Sequence, residues 1–315
     1  VVWSDRWQEK WDKLPTIKMN LSDGLLKALN ITSKVEKKAE TTNTKAYELY
    51  LKAKHTYQKP TDTNDKEIAR RLLNKAIELD DSLIKAKLLL GATYKDIGNY
   101  DKAMDIYTLA LKRSKELGDR AGMGYSLNNI GVAHWYKNDY DKALDCYTRS
   151  LAIQEDIGDK TGMGYSLNNI GNVHWYKVQY DKALDYYTKS LTIHEKLGDK
   201  RGMGASLGNI GNLHWYKNDY DKALDYNTKS LTIQEELGSK RGMGNTLNSI
   251  GNVHLDKGEY DKALDYYTRS LAIHDKLANK AGMGNNLNNI GFAHAGKSDY
   301  DKALEYYTRS LTIRE

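Results

Sequence analysis

Cysteine, proline and phenylalanine are nearly absent from this sequence of 315 residues, which contains one Cys, two Pro and one Phe. The single Cys146 excludes an internal disulfide and fits a reducing compartment such as the cytoplasm. Both prolines, Pro15 and Pro60, precede the regular part of the chain. No hydrophobic run approaches the length of a membrane span and no signal peptide opens the chain, so we expect a soluble protein without a membrane partner.

An excess of charge of one sign is also missing. The 48 basic and 42 acidic residues give a net charge of only +6, and they alternate along the sequence. Binding to nucleic acid requires basic side chains clustered on one face. The mixed pattern indicates a solvated surface instead, and we expect no nucleic-acid partner.

Repetition dominates the sequence. The phrase Ser-Leu-Asn-Asn-Ile-Gly at 126–131 returns at 166–171 and, in related forms, every 40 residues as far as 287–291. A second phrase, Tyr-Asp-Lys-Ala-Leu, begins nine residues after each repeat glycine, at residues 140, 180, 220, 260 and 300. A fixed period of this kind is typical of a solenoid, in which each unit buries its apolar face only by stacking on its neighbours. The sequence therefore predicts an all-α fold with two helices in each unit.

The chain divides into three parts on this reading. Residues 1–43 do not belong to the repeats, and residues 44–82 form a degenerate first unit whose two helices are separated by a longer connection around Pro60. Residues 83–315 form six regular units, marked by the repeat glycines Gly91, Gly131, Gly171, Gly211, Gly251 and Gly291.

The repeat resembles a known helical family. The residues that carry the resemblance are Leu127, Ile130, Gly131, Tyr140, Ala143, Leu144, Tyr147 and Leu151. They stand at the spacings of the tetratricopeptide repeat, whose common unit has about 34 residues. This unit is longer and has no terminal proline, as in the variant similar to kinesin light chains and related adaptor proteins. The resemblance implies a right-handed α-solenoid of stacked antiparallel helix pairs, with the first helices lining a concave groove.

The first 43 residues carry a second resemblance. Trp3, Trp7 and Trp11 would share one face of a helix. The segment 3–7, followed by the helix that ends at Leu29, resembles the end of the TolB-like domain that precedes tetratricopeptide arrays in some bacterial signalling proteins. This resemblance implies that the chain is part of a larger signalling protein.

Side-chain spacing supports the helix pairs independently. Leu127, Ile130 and His134 fall on one face of the first helix, and we expect that face to pack against the partner helix. Asp139 and Asp159 precede helices, where a carboxylate accepts hydrogen bonds from free backbone amides. We therefore expect both residues to cap helices.

A glycine pair opens each first helix. The phrase Gly-Met-Gly recurs at 122–124, 162–164, 202–204, 242–244 and 282–284. Each glycine costs a helix about 1 kcal/mol relative to alanine, so we expect close helix contact across the repeat junction to compensate. The phrase is not a phosphate-binding loop, because it lacks the preceding strand and the following Lys-Ser/Thr.

A row of histidines occurs at 40-residue spacing, at His134, His174, His214, His254 and His294. Equivalent atoms in stacked helices lie about 8 to 10 Å apart or more, whereas metal ligands lie about 2 Å from the metal. We therefore interpret the row as core residues that face the partner helix. Because no spacing joins a nucleophile to a base, we expect no enzyme activity, cofactor or metal site.

The candidate binding surface is the groove face of the first helices. An asparagine amide both donates and accepts hydrogen bonds, so a row of asparagines suits the backbone of an extended chain, and Trp and Tyr add amphipathic contact area. The candidate residues are Tyr125, Asn128, Trp135, Tyr136, Tyr165, Asn168, Asn172, Trp175, Tyr176, Asn212, Trp215, Tyr216, Asn248 and Asn252.

The row of tryptophans favours a binding site, because it gives way to Leu255 and Ala295 while the core residues stay fixed. The asparagines are equally consistent with a structural role. We expect a protein-interaction scaffold that binds a protein or peptide ligand. Two alternatives remain open: self-association through the C-terminal helix, and binding of single-stranded RNA, which the lack of Lys and Arg among the candidate residues disfavours.

Overall fold

The computed structural model describes residues 43–58 and 64–314, and helices are the only regular secondary structure in these ranges. The tryptophans at 3, 7 and 11 and the TolB-like resemblance lie outside the described residues. The described residues form two compact units, divided after Gly158, which we call unit 1 and unit 2.

Unit 1 contains six described helices, and each packs against the next one along the chain. The first pair corresponds to the predicted degenerate repeat, and its core includes the buried residues Tyr47, Tyr50 and Leu73. The bounds are α1 (Thr44–Gln58), α2 (Asp65–Leu79), α3 (Ile84–Lys95), α4 (Tyr100–Leu117), α5 (Arg120–Tyr136) and α6 (Tyr140–Asp156).

Unit 2 contains eight described helices in four pairs. Each first helix packs against its own second helix and, from α9 onward, against the second helix before it. The bounds are α7 (Lys160–Tyr176), α8 (Tyr180–Leu197), α9 (Lys200–Tyr216), α10 (Tyr220–Glu236), α11 (Lys240–Asp256), α12 (Tyr260–Lys276), α13 (Lys280–Gly296) and α14 (Tyr300–Arg314). The predicted all-α array of consecutively packed helix pairs is confirmed.

The two predicted helix caps differ. Asp159 caps α7, since its carboxylate accepts a hydrogen bond from the backbone amide of Gly162 at 3.0 Å. The prediction for Asp139 is wrong, because it occupies the cap position of α6 without a side-chain cap bond. Its carboxylate lies 2.7 Å from the ammonium group of Lys142 instead. That hydrogen bond holds the pKa of Asp139 below its ordinary value.

From α3 onward, the turn between the helices of each pair contains one residue with positive φ. Asn138, Asn218 and Ser298 adopt φ values of 61°, 58° and 64°. At the same position Val178 adopts a φ of 59°, with its side chain 67% exposed. A β-branched residue is disfavoured in this left-handed conformation, so Val178 is a point of backbone strain.

In unit 2, glycines from two successive Gly-Met-Gly phrases enclose one side chain of the second helix. The expected close contact across the repeat junction is therefore present. In unit 2, a Cβ atom placed on Gly164 would lie 2.6 Å from the imidazole of His194, and one on Gly202 would lie 2.2 Å from it. The two glycines therefore bracket His194, which is 1% exposed. Gln234 and His274 occupy the same position in the following pairs. Close helix contact thus offsets the low helix propensity of the glycines.

The histidine row faces the second helices, as predicted. In unit 2 each of its members stacks nearly parallel on a tyrosine, with ring centroids 5.2 to 5.5 Å apart. The pairs are His174 with Tyr186, His214 with Tyr226, His254 with Tyr266, and His294 with Tyr306.

Candidate functional site

The candidate residues of unit 2 lie mostly on one face of the first helices, at the helical spacing shown by Tyr165, Asn168, Asn172 and Tyr176. All four side chains are partly or largely accessible. We call this surface of α7, α9, α11 and α13 the first-helix face. Its unit 2 candidates are Tyr165, Asn168, Asn172, Trp175, Tyr176, Asn212, Trp215, Tyr216, Asn248 and Asn252.

Asparagines of successive first helices are joined by hydrogen bonds. The amide nitrogen of Asn209 on α9 donates to the carbonyl oxygens of Asn168 and Asn172 on α7, at 3.1 and 3.2 Å. In the same way Asn289 on α13 donates to Asn248 and Asn252 on α11, at 3.0 and 3.2 Å. We call these two sets the asparagine ladders.

Tyrosine hydroxyls of the second helices also donate to two of these carbonyl oxygens, those of Asn172 and Asn252. The hydroxyl of Tyr187 donates to Asn172 at 2.8 Å, and that of Tyr267 donates to Asn252 at 2.9 Å. The acceptor half of each amide is therefore occupied within unit 2. The amide nitrogens of Asn168, Asn172, Asn248 and Asn252 make no hydrogen bond to another described residue, so the ladders present oriented donors.

Four candidates of unit 2 form one aromatic cluster, namely Trp175, Tyr176, Trp215 and Tyr216. The ring of Tyr216 lies 5.2 Å from Trp175 and 4.7 Å from Trp215, edge to face in both cases. Tyr176 and Tyr180 extend the cluster, at 6.4 Å from Trp175 and 6.1 Å from Tyr216. Tyr176 and Tyr216 remain 50% and 45% exposed, so the cluster is accessible from solvent.

The two indole nitrogens of this cluster differ in their partners. Trp215 donates to the carboxylate of Asp256 at 2.6 Å. Asp256 occupies the place that Tyr176 and Tyr216 hold in the earlier repeats, so the row of tyrosines ends in an acceptor for the indole. The indole nitrogen of Trp175 is buried and has no hydrogen-bond partner among the described residues.

Tyr165 belongs to a polar network at the repeat junction. Its hydroxyl donates to Asp199 at 3.0 Å, and its ring lies 4.9 Å from that of His194. Burial, together with the charge of Asp199, raises the pKa of Tyr165 to about 12. The side chain of Tyr165 therefore mainly stabilises the packing of α7 against α8 and α9.

The unit 1 candidates lie on α5. Trp135 lies 5.0 Å from Tyr140, edge to face, and Tyr136 stacks on Tyr100 with ring centroids 4.9 Å apart. Tyr125 and Asn128 are partly buried on α5. Tyr125 also accepts a hydrogen bond at its backbone carbonyl from the neighbouring Asn129, at 2.9 Å.

Sequence reasoning missed several residues of this surface. Asn209 and Asn289, which organise the ladders, adjoin the predicted positions, and the Asn-Asn pairs of the repeat were the available signal. Asp256 follows the end of the tryptophan row, and its role as the acceptor for Trp215 was not predicted. The exposed side chains of Arg201 and Arg241 also lie on the first turns of α9 and α11.

Among residues 43–58 and 64–314, no group of three or more His, Cys, Asp or Glu side chains could hold a metal ion. No helix within those ranges combines the length and the apolar character that crossing a membrane demands.

Comparisons with solved structures agree with the fold. The apo form of RapI matches with a TM-score of 0.64 and 16% identity, over 85% of this chain and 97% of that one. A Rap protein complexed with competence and sporulation factor matches with a TM-score of 0.63 and 16% identity, over 85% and 76%. A signal transduction ATPase with numerous domains and a tetratricopeptide repeat sensor, from Pyrococcus horikoshii, gives 0.62 and 16%, over 85% and 42%. The chain thus spans less than half of that ATPase.

Sequence comparison assigns the family. No curated protein sequence matches the chain. The family model described as tetratricopeptide repeat matches residues 82–156, 163–236 and 242–315, which together are well over half of the sequence. With its 40-residue units of paired helices, the chain belongs to the tetratricopeptide repeat family.

Proposed function

We propose that this chain is a protein-interaction scaffold whose first-helix face binds an extended peptide segment of a partner protein. This proposal rests on the asparagine ladders. They hold four amide nitrogens on the surface with their carbonyl oxygens already engaged. Oriented donors lose little conformational freedom on binding, and the carbonyl oxygens of an extended backbone are matching acceptors.

The aromatic cluster supplies apolar contact beside the ladders. Half-exposed Tyr176 and Tyr216 flank the more buried Trp175. Interfaces gain most of their energy from tyrosine, tryptophan and arginine side chains in such settings. We therefore assign the ladders to binding of the peptide backbone and the cluster to binding of an apolar side chain.

The wider setting is also part of the proposal. Two similar folds support this setting: a Rap protein that forms a complex with competence and sporulation factor, and a Pyrococcus horikoshii ATPase that contains a tetratricopeptide repeat sensor. We propose that this chain is likewise a non-enzymatic interaction module of a larger cytoplasmic signalling protein. Its regions would be the segment 1–43, the degenerate repeat 44–82 and the regular array 83–315.

Selection from a library of short random peptides tests the function. Peptides selected on the immobilised protein are labelled, and their affinity is measured by fluorescence anisotropy. We expect the double variant Asn172→Ala, Trp175→Ala to bind at least tenfold more weakly. Lys189→Ala is the matched control, because Lys189 pairs with Asp185 on the exposed surface of α8 at 2.7 Å. Equal affinity for the double variant and the protein would refute the assignment of the face.

A second candidate function is self-association through α14. Leu304 and Leu311 are 67% and 60% exposed. Their counterparts on α8 are Leu184, partly buried, and Leu191, 9% exposed, and both belong to the core cluster that includes residues of α9. A second copy would cover the same type of surface. Sedimentation equilibrium of Leu304→Glu, Leu311→Glu against Thr308→Glu tests this function, and identical association in both variants would exclude it.

A further inference from the structure

The regular pattern of the first-helix face is interrupted at one step of unit 2, between α9 and α11. The ladder from α7 to α9 and the ladder from α11 to α13 each need one asparagine donor and two asparagine acceptors. At the interrupted step the donor position holds Ser249, and one acceptor position holds Gly208. Asn212 remains as the other acceptor, and its amide makes no hydrogen bond to another described residue.

A third difference from the neighbouring repeats occurs on α10, the second helix that pairs with α9. Tyr187 and Tyr267 cross the repeat glycines Gly171 and Gly251 to reach their asparagines. At the equivalent position α10 carries Asn227, which packs on Gly211 in the same manner, 2.7 Å from where a Cβ atom would lie. Asn227 is shorter than tyrosine, so it has no counterpart to the outer part of the tyrosine ring and its hydroxyl.

Asn227 is an unusual buried group. It is 1% exposed, yet neither its amide oxygen nor its amide nitrogen has a hydrogen-bond partner among the described residues. Buried polar groups are nearly always paired, and an unpaired one indicates a missing ligand or water. The whole amide of Asn227 packs against Gly211, which adjoins Asn212 in the sequence. We call Gly208, Asn212, Asn227 and Ser249 the α9–α11 notch.

The chemistry of the notch is neutral and amide-rich. All four residues are uncharged, so an ionised side chain entering it would lose water without gaining a counter-charge. An aliphatic side chain would leave the amide of Asn227 unpaired. A carboxamide carries both a donor and an acceptor and forms reciprocal hydrogen bonds with another carboxamide.

We infer that the α9–α11 notch binds one carboxamide side chain, glutamine or asparagine, of the peptide held on the first-helix face. The inference rests on the proposed function and adds a determinant of sequence preference to it. The asparagine ladders bind backbone regardless of sequence, whereas the notch selects a side chain. Glutamine has the longer reach toward the buried amide of Asn227, so we expect it to be preferred.

The test compares peptides selected on the protein with those selected on Asn227→Tyr, which restores the residue of the neighbouring repeats. We expect the protein to enrich Gln or Asn at one peptide position, and Asn227→Tyr to lose that enrichment while still selecting peptides. For one selected peptide, replacing the Gln by Glu or Leu should weaken binding to the protein at least tenfold and leave binding to Asn227→Tyr nearly unchanged. Gly208→Asn, Ser249→Asn provides a second variant that fills the notch from the surface.

The outcomes separate the two claims. If peptides bind the face but show no carboxamide preference, or if Asn227→Tyr retains it, the notch holds an internal water only and the inference fails while the proposed function stands. If no selected peptide loses affinity for the Asn172→Ala, Trp175→Ala variant, both fail. Thermal unfolding of each variant verifies that the fold is intact.

Discussion

The imidazole Nδ1 atom of His194 lies 2.9 Å from a carboxylate oxygen of Asp199, and the ring itself is 1% exposed. Burial lowers the pKa of His194, and the opposing charge of Asp199 only partly counteracts it. The folded protein therefore holds this histidine neutral at a pH where the unfolded chain, with an ordinary value of about 6.5, becomes protonated.

Acidification should consequently destabilise unit 2. The unfolded state binds the proton first, so the free energy of unfolding falls as the pH drops below about 6.5 and stops falling below the folded-state pKa. Asp199, whose pKa is lowered, contributes its own loss only near and below pH ~4. Urea unfolding at pH values from 8 to 5 measures the effect.

His194→Gln is the control for that series, because Gln154 and Gln234 occupy the same position in other repeats. We expect this variant to show a shallower dependence on pH over the same window. An unchanged slope would show that His194 is not responsible, leaving His214 and His274, whose pKa values burial also lowers.

Asn227→Tyr should stabilise the protein in the absence of any ligand. The tyrosine refills the path beside Gly211 and offers its hydroxyl to Asn212, while the unpaired amide disappears. Removing a buried unsatisfied polar group and filling space is worth about 1 to 3 kcal/mol. The converse variant Tyr187→Asn should lose a similar amount, and unfolding by urea compares the two. A destabilised Asn227→Tyr would mean that the space beside Gly211 has closed.

Val178→Asn should also stabilise the protein. The backbone at Val178 is left-handed, and Asn138 and Asn218 adopt the same conformation in equivalent turns. The strain of a β-branched residue there is about 1 to 2 kcal/mol. Asn218→Val is the reverse experiment and should cost a similar amount. Melting temperatures that move in the same direction for both variants would contradict this explanation.

Two helical glycines, Gly171 and Gly124, should respond differently to alanine. In Gly171→Ala the new Cβ atom would lie 2.6 Å from the ring of Tyr187, and overpacking of this kind costs about 1 to 3 kcal/mol. In Gly124→Ala the nearest atom, on Gln154, is 3.4 Å away. That variant should gain up to about 1 kcal/mol from helix propensity. Equal loss in both variants would indicate a shared backbone requirement.

The repeat made most of the fold predictable from the sequence. Residues such as Ile130 and Gly131 recur at fixed spacing, so one correct assignment determines every helix pair. The glycine pairs could also be interpreted, because a destabilising residue that recurs implies a compensating contact. The cap at Asp139 could not be predicted, since Lys142 competes for the same carboxylate.

The surface was less predictable, because its order depends on contacts between repeats. The sequence indicates that Asn168 and Asn172 share a face, but the partner Asn209 lies 41 and 37 residues away. Which half of an amide remains available depends on such partners. Likewise, the sequence does not reveal that the buried amide of Asn227 lacks hydrogen-bond partners among the described residues. Periodicity identifies the elements, whereas hydrogen bonding between them determines the chemistry.

The two asparagine ladders of unit 2 lie 80 residues apart, since Asn168 and Asn248 have the same role. If the ladders bind peptide backbone as we propose, unit 2 contains two equivalent binding sites in tandem, although its sequence period is 40 residues. A partner with a single matching segment meets two sites of equal chemistry. A partner with tandem segments gains from the high effective concentration of the second site once the first is occupied. On the proposed function, we therefore expect unit 2 to favour bivalent partners over monovalent ones without any additional contact.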